Sequence, residues 1–130
     1  MTNARELANL VGGTLTNVTS GTNNVALGDE ALEALTEGAS NVGIGKEAGT
    51  TGADNVAVGS SALTADTLGS DSVAVGRRAL MSQNFTTATS TMNTAVGPSA
   101  GQAITTGIQN TLIGGLAGDA LTDADSNVAV

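Results

Sequence analysis

NVGIGKEAGTTGADNVAVGSSAL, residues 41–63, states one phrase twice. Asn41-Val42-Gly43-Ile44-Gly45, with Ala48 behind it, returns 14 residues later as Asn55-Val56-Ala57-Val58-Gly59 with Ala62. The same frame begins at residues 24, 41, 55, 72, 93, 110 and 127, at spacings of 17, 14, 17, 21, 17 and 17 residues. A nearly fixed period with modest insertions is the mark of a solenoid, in which each repeat is one unit stacked on the last.

One unit reads as a short strand between two corners. Val25-Ala26-Leu27 and its equivalents are β-rich triplets with Asn or Ser before them and Gly after. Glycine permits a positive φ at the corner, and Asn accepts αL or bonds nearby backbone. Period-2 geometry sets Val25 and Leu27 on one face and Ala26 on the other. The larger pair is expected to fill the coil, and the small middle residue to face something that comes close. A second short strand is expected in the other half of each unit. The 17-residue units carry Ala34-Leu35-Thr36, Ala103-Ile104-Thr105 or Ala120-Leu121-Thr122 there, and the 14-residue unit lacks this piece. In the 21-residue unit, Met81, Phe85 and Met92 are expected to fold back over the roll.

Composition narrows the function. The 130 residues include 18 Gly, one Pro, a single aromatic and no Cys, His, Trp or Tyr. Burial must therefore come from stacked aliphatic side chains, and thin coils leave a strand face that only a neighbouring chain can cover. Without His or Cys there is no Ser-His-Asp triad, no thiol nucleophile and no ordinary zinc site. Asp123 and Asp125 lie in a turn, Gly45-Lys46-Glu47 does not complete a phosphate loop, and a calcium nonapeptide frame is missing. Thr50-Thr51 and Thr86-Thr87 cluster without the coil-by-coil register an ice-binding face needs. The expectation is a non-enzyme with no catalytic, cofactor or metal residues.

The net charge of −8 and only four basic residues argue against nucleic acid. Asp29-Glu30, Lys46-Glu47 and Arg77-Arg78 fall just past the glycine, as a solvated rim. No 18-residue apolar run exists, so membrane insertion is not expected. Residues 1–23 read as an N-terminal docking segment rather than a secretory signal. Asn3 and Glu6 make a loose capping box, Leu7, Leu10 and Val11 fall at i, i+3 and i+4, and Gly12-Gly13 ends the short helix. Residues 24–130 are the repeat array. Val130 stops one residue short of the next glycine, so more chain or a covering partner is expected beyond it.

Asn55-Val56-Ala57-Val58-Gly59-x-x-Ala62 and Ser72-Val73-Ala74-Val75-Gly76-x-x-Ala79 resemble the head repeats of trimeric autotransporter adhesins. Asn93-Thr94-Ala95-Val96-Gly97-x-x-Ala100-Gly101 is more similar to repeats of phage and cyanophage fibre proteins, as is the opening Thr2 to Leu10. The resemblance covers about residues 24–130. It implies an all-β, left-handed parallel β-roll that closes as a homotrimer, with Ala26, Gly43, Ala57, Ala74 and Ala95 as the small residues at which the rolls approach and Leu112 as a bulkier contact. The expected role is a virion structural protein, a tail fibre or adaptor shaft docked through Leu7, Leu10 and Val11 on a tail or capsid protein, with more distal parts toward the host surface. The alternative is the head of a bacterial surface adhesin. The lone aromatic, Phe85, gives little for a sugar to stack on, so the segment reads as shaft rather than tip.

Overall fold

The computed structural model describes residues 21–130. The expected short helix, with Leu7, Leu10 and Val11, lies outside the described residues.

Each repeat is one turn of an all-β solenoid, and its triplet is a strand. The strands are β1 (Val25–Leu27), β2 (Val42–Ile44), β3 (Val56–Val58), β5 (Val73–Val75), β7 (Thr94–Val96), β8 (Thr111–Ile113) and β9 (Val128–Ala129). They form one parallel sheet in that order. The register is locked one repeat to the next: Val25 pairs with Val42, Val56 with Val73, and Thr94 with Thr111. The short and long units do not disturb it, because their length differences are absorbed on the far side of the coil.

That far side is mostly turn. A second strand pair occurs in one place, β4 (Gly69–Ser70) with β6 (Thr89–Ser90), where the 21-residue unit runs beside its neighbour. The other coils return through turns, so a second strand in every unit does not form. Within the long excursion Phe85 folds inward and is 7% exposed, whereas Met92 is 51% exposed and faces solvent.

The faces of the main strands are the reverse of the expectation. Ala57, Ala74 and Ala95 are buried within the single chain, and Ala26 and Gly43 occupy the same inward position. They are interior residues, so none of the five is a surface at which chains approach one another. The flanking Val, Ile and Leu side chains point outward. Volume is the reason: the interior is already filled by Leu35, Leu63, Leu80 and Ile104, which enter from behind the strands of the first, third, fourth and fifth coils. Beneath them the strand has room only for a methyl group or less.

Two local exchanges keep the core full. Leu32 occupies the space above Gly43 and Gly49, where an added Cβ would sit 2.7 Å and 2.6 Å from its side chain. Leu112, fully buried rather than outward, fills the space left by Gly101 and Gly118, each of whose Cβ atoms would come within 2.7 Å of it. A leucine in one coil is thus matched by glycine in the adjacent corner.

After each strand the chain turns at a glycine with φ between +121° and +138°, as at Gly45 and Gly97. At Gly59 a Cβ would lie 2.6 Å from the carbonyl group of Gly76, so stacking as well as φ demands glycine. Two residues on, Glu30, Glu47, Ser61, Arg78, Ser99 and Leu116 adopt φ of 57° to 62°. Left-handed backbone costs about 1–2 kcal/mol for such residues. From Glu47 onward each conformation aims an N–H at the preceding coil, as from Arg78 to the Ser60 carbonyl at 3.0 Å.

Candidate interaction surface

The outward residues of the sheet make two adjacent columns, apolar except at Thr94 and Thr111. One holds Val25, Val42, Val56, Val73, Thr94, Thr111 and Val128; the other holds Leu27, Ile44, Val58, Val75, Val96 and Ile113. In-register pairing stacks them without a break, since each of the first six strands of the sheet contributes the same two positions and β9 the first of them. In the single chain Val25 is 52% exposed and Ile113 39%. A continuous apolar face of this length on a lone chain is the kind of surface that marks association.

Beside that face runs the corner ridge, which changes character along the rod. Lys46 lies 3.2 Å from Glu30, 2.6 Å from Glu47 and 3.8 Å from Asp29. The hydrogen bonds to Glu47 and Glu30 hold its ammonium well above the usual lysine range. Glu47 is lowered in turn by its bonds to Lys46 and Ser61. All of these groups are solvated, so the cluster contributes little to stability. Ser60 and Ser61 occupy the next coil, Arg77 and Arg78 the one after, and Pro98, Ser99, Gly115 and Leu116 the last two. Both arginines are exposed, and among the described residues neither joins an ion pair; every such pair belongs to Lys46.

Inside the roll an asparagine column ties coil to coil. Asn41 Nδ2 donates to the Gly52 carbonyl at 2.7 Å within its own coil, and its Oδ1 accepts the N–H of Asn55 at 3.0 Å. Asn93 repeats the pattern with Gly107 and Asn110. The αL residue is the one before the Asn, such as Ser40 or Asp54, and the carboxamide is a clip rather than a turn former. The fourth coil has Ser72 in place of Asn, and a side chain that sequence reasoning passed over fills the gap. Gln83 Nε2 donates to Ser72 Oγ and to Asp66 Oδ2, both at 2.9 Å, and Gln83 Oε1 accepts from Asn93 at 2.8 Å. Asp66 Oδ1 also accepts from the N–H groups of Gly69 and Phe85. Burial pushes the Asp66 carboxyl up, and the hydrogen bonds from Gln83, Gly69 and Phe85 oppose that rise. The signal for Gln83 was the break in the Asn column itself.

The short second coil leaves a notch of about 400 Å³ between its neighbours, lined by Glu30, Glu33, Glu47, Thr50, Thr51 and Thr64 among others. Its hydroxyls are committed to the backbone: Thr50 Oγ1 accepts from Gly52 N–H, Thr51 donates to the Thr67 carbonyl and Thr64 to that of Glu47. Thr105 donates to Thr122 in the same manner. These threonines clip coils together rather than forming a free hydroxyl array. Asp125 is likewise structural, accepting the Ile108 N–H at 2.8 Å. Among the described residues no group of three or more Asp or Glu is disposed to hold a metal, and no helix is long and apolar enough to cross a membrane. No family model, curated protein or solved structure matches the chain.

Proposed function

We propose that the chain is a structural rod segment of a phage virion, a homotrimeric tail fibre or fibre-adaptor shaft. The observation that carries the trimer is the outward apolar face of β1, β2, β3, β5, β7, β8 and β9, a surface running the length of the array. Three parallel, in-register rolls burying their Val, Ile and Leu columns against one another would remove it from water. This is also the assembly, with left-handed coils, that the adhesin-type frame implies. The interface residues in this reading are Val25, Leu27, Ile44, Val58, Val75 and Ile113, replacing the small residues that lie inside each roll.

The chemistry of the rod supports a mechanical role. Its polar side chains are spent on joining coils, as in the Asn column and the Thr51 clip. The N-terminal segment, through Leu7, Leu10 and Val11, is proposed to dock on a tail or capsid protein, and more distal parts of the fibre to reach the host surface. Negative-stain imaging of the parent particle with this chain tagged tests the location. Label on tail or capsid appendages is the expected result. A chain absent from particles but displayed on a bacterial surface would select the adhesin-head reading instead.

A further inference from the structure

Of the 12 acidic residues in the chain, none falls between Ser72 and Gln109, while that stretch holds two of the four basic ones, Arg77 and Arg78. Residues 72–109 are two complete coils, the fourth and fifth. Because a coil closes on itself, a stretch of sequence without carboxylates becomes a belt around the roll. At about 4.8 Å per coil the belt is about 10 Å tall. Carboxylates border it on both sides, with Asp66 and Asp71 in the third coil, bonded to Gln83 and Ser90 of the belt, and Asp119, Asp123 and Asp125 in the sixth.

Within the belt the two guanidinium groups are left free. Lys46, on the same ridge two coils earlier, is surrounded by three carboxylates, whereas Arg77 and Arg78 are exposed and unpaired among the described residues. Their neighbours along the ridge are Ser60 and Ser61 on one side and Pro98 and Ser99 on the other, so no bulky or charged side chain covers them. Adjacent arginines that a fold positions on a rigid corner and leaves unneutralised are suited to bidentate contact with planar or tetrahedral oxyanions. The belt also presents exposed hydroxyls at Thr86, Thr87 and Thr106, whereas those of Ser90 and Thr105 are committed to the Asp71 carboxylate and the Thr122 carbonyl.

We infer that this belt is a docking site for an anionic polysaccharide, with Arg77 and Arg78 engaging its sulfate, phosphate or carboxylate groups and hydroxyls farther around the belt meeting its sugar hydroxyls. In the proposed trimer six guanidinium groups would share one level of the rod, and repeated anionic groups of a polymer would meet them by multivalency. The inference deepens the rod reading by giving the shaft its own ligand chemistry. The arginine pair nevertheless belongs to each chain and survives if the trimer does not.

The test is calorimetric titration of the full chain with heparin, polygalacturonate and uncharged dextran, at low and at physiological salt, with light scattering on the same samples. The decisive variant is Arg77→Ser with Arg78→Ser, which reproduces the Ser60-Ser61 corner that the fold already uses at the same φ. Lys46→Ser is the control. The expected result is binding of heparin or polygalacturonate but not dextran, weakened by salt. The double variant should bind about tenfold more weakly through loss of two charge-assisted contacts per chain, and the Lys46 variant should match the wild type. Heparin alone or polygalacturonate alone would identify the anion. No binding to either, equal binding to dextran, or an unaffected double variant would overturn the inference. A monomer that still binds would refute the trimer and leave the belt standing.

Discussion

Gln83 stands where an asparagine is missing: its Nε2 lies 2.9 Å from Ser72 Oγ, and its Oε1 takes the Asn93 N–H donor at 2.8 Å. A residue of the long excursion thus repairs the one break in the column that clips the coils. The irregular coil is held to the regular ones by a polar network that also contains Asp66 and Thr91.

Gln83→Ala should therefore cost about 2–4 kcal/mol, because it strips a donor from the buried Asp66 carboxylate and an acceptor from Asn93. Adding Ser72→Asn should recover part of the loss, since Asn occupies that place in the other coils, while Ser72→Asn alone crowds Gln83. Urea denaturation of the four proteins measures the coupling. Strictly additive effects would show that Gln83 does not substitute for the missing carboxamide.

Asp66 gives the fold a distinct pH signature. Its folded-state pKa is raised by burial, so the folded chain binds this proton more tightly than the unfolded chain. The associated stability is fully present below the ordinary Asp value of 3.8 and is lost as pH rises through the raised folded value. Melting temperature of the wild type, measured against Asp66→Asn, should fall across that window. A difference that does not change with pH would contradict the buried placement.

The exchange of leucine and glycine in the core predicts a second coupled pair. Leu112→Ala should destabilise by about 2–5 kcal/mol even though alanine fills the equivalent place in five other strands. Gly101 and Gly118 leave nothing else to occupy that volume. Gly101→Leu alone should overpack against Leu112, at a φ of 59° that Leu80 tolerates at 48°. The double variant, which recreates the Ala74 and Leu80 arrangement, should regain stability in thermal melts.

Ala57→Leu should be far more damaging than Ser60→Leu. Ala57 is 1% exposed beneath the core leucines, whereas Ser60 is exposed on the ridge. Overpacking a full interior costs about 1–3 kcal/mol, and a ridge substitution stays within about 0.5 kcal/mol. Comparable melting temperatures would contradict the assignment of faces.

The period, the strand triplets and the corner glycines were legible in the sequence because each is a local constraint. Val56-Ala57-Val58 has β-branched residues before a glycine that must take positive φ, and the strand runs over those three residues. Which side of the triplet faces inward was not legible. Alternation separates two faces without labelling them, and size alone pointed the wrong way. The interior is decided by residues far along the coil, Leu35, Leu63, Leu80 and Ile104, whose entry was not predicted from the strand. Clips such as Thr51 to Thr67 were equally hidden, because their register depends on how each coil returns.

In the proposed assembly the outward Val, Ile and Leu columns are a face shared between three copies of the chain. Light scattering coupled to size exclusion, at high salt so that charge contacts are screened, measures it directly. The expected mass is three times the 12.6 kDa of one chain, collapsing on Val58→Glu with Val75→Glu, which charges the middle of the face. A wild-type chain that stays monomeric and folded, or a double variant that keeps the trimer mass, would contradict it.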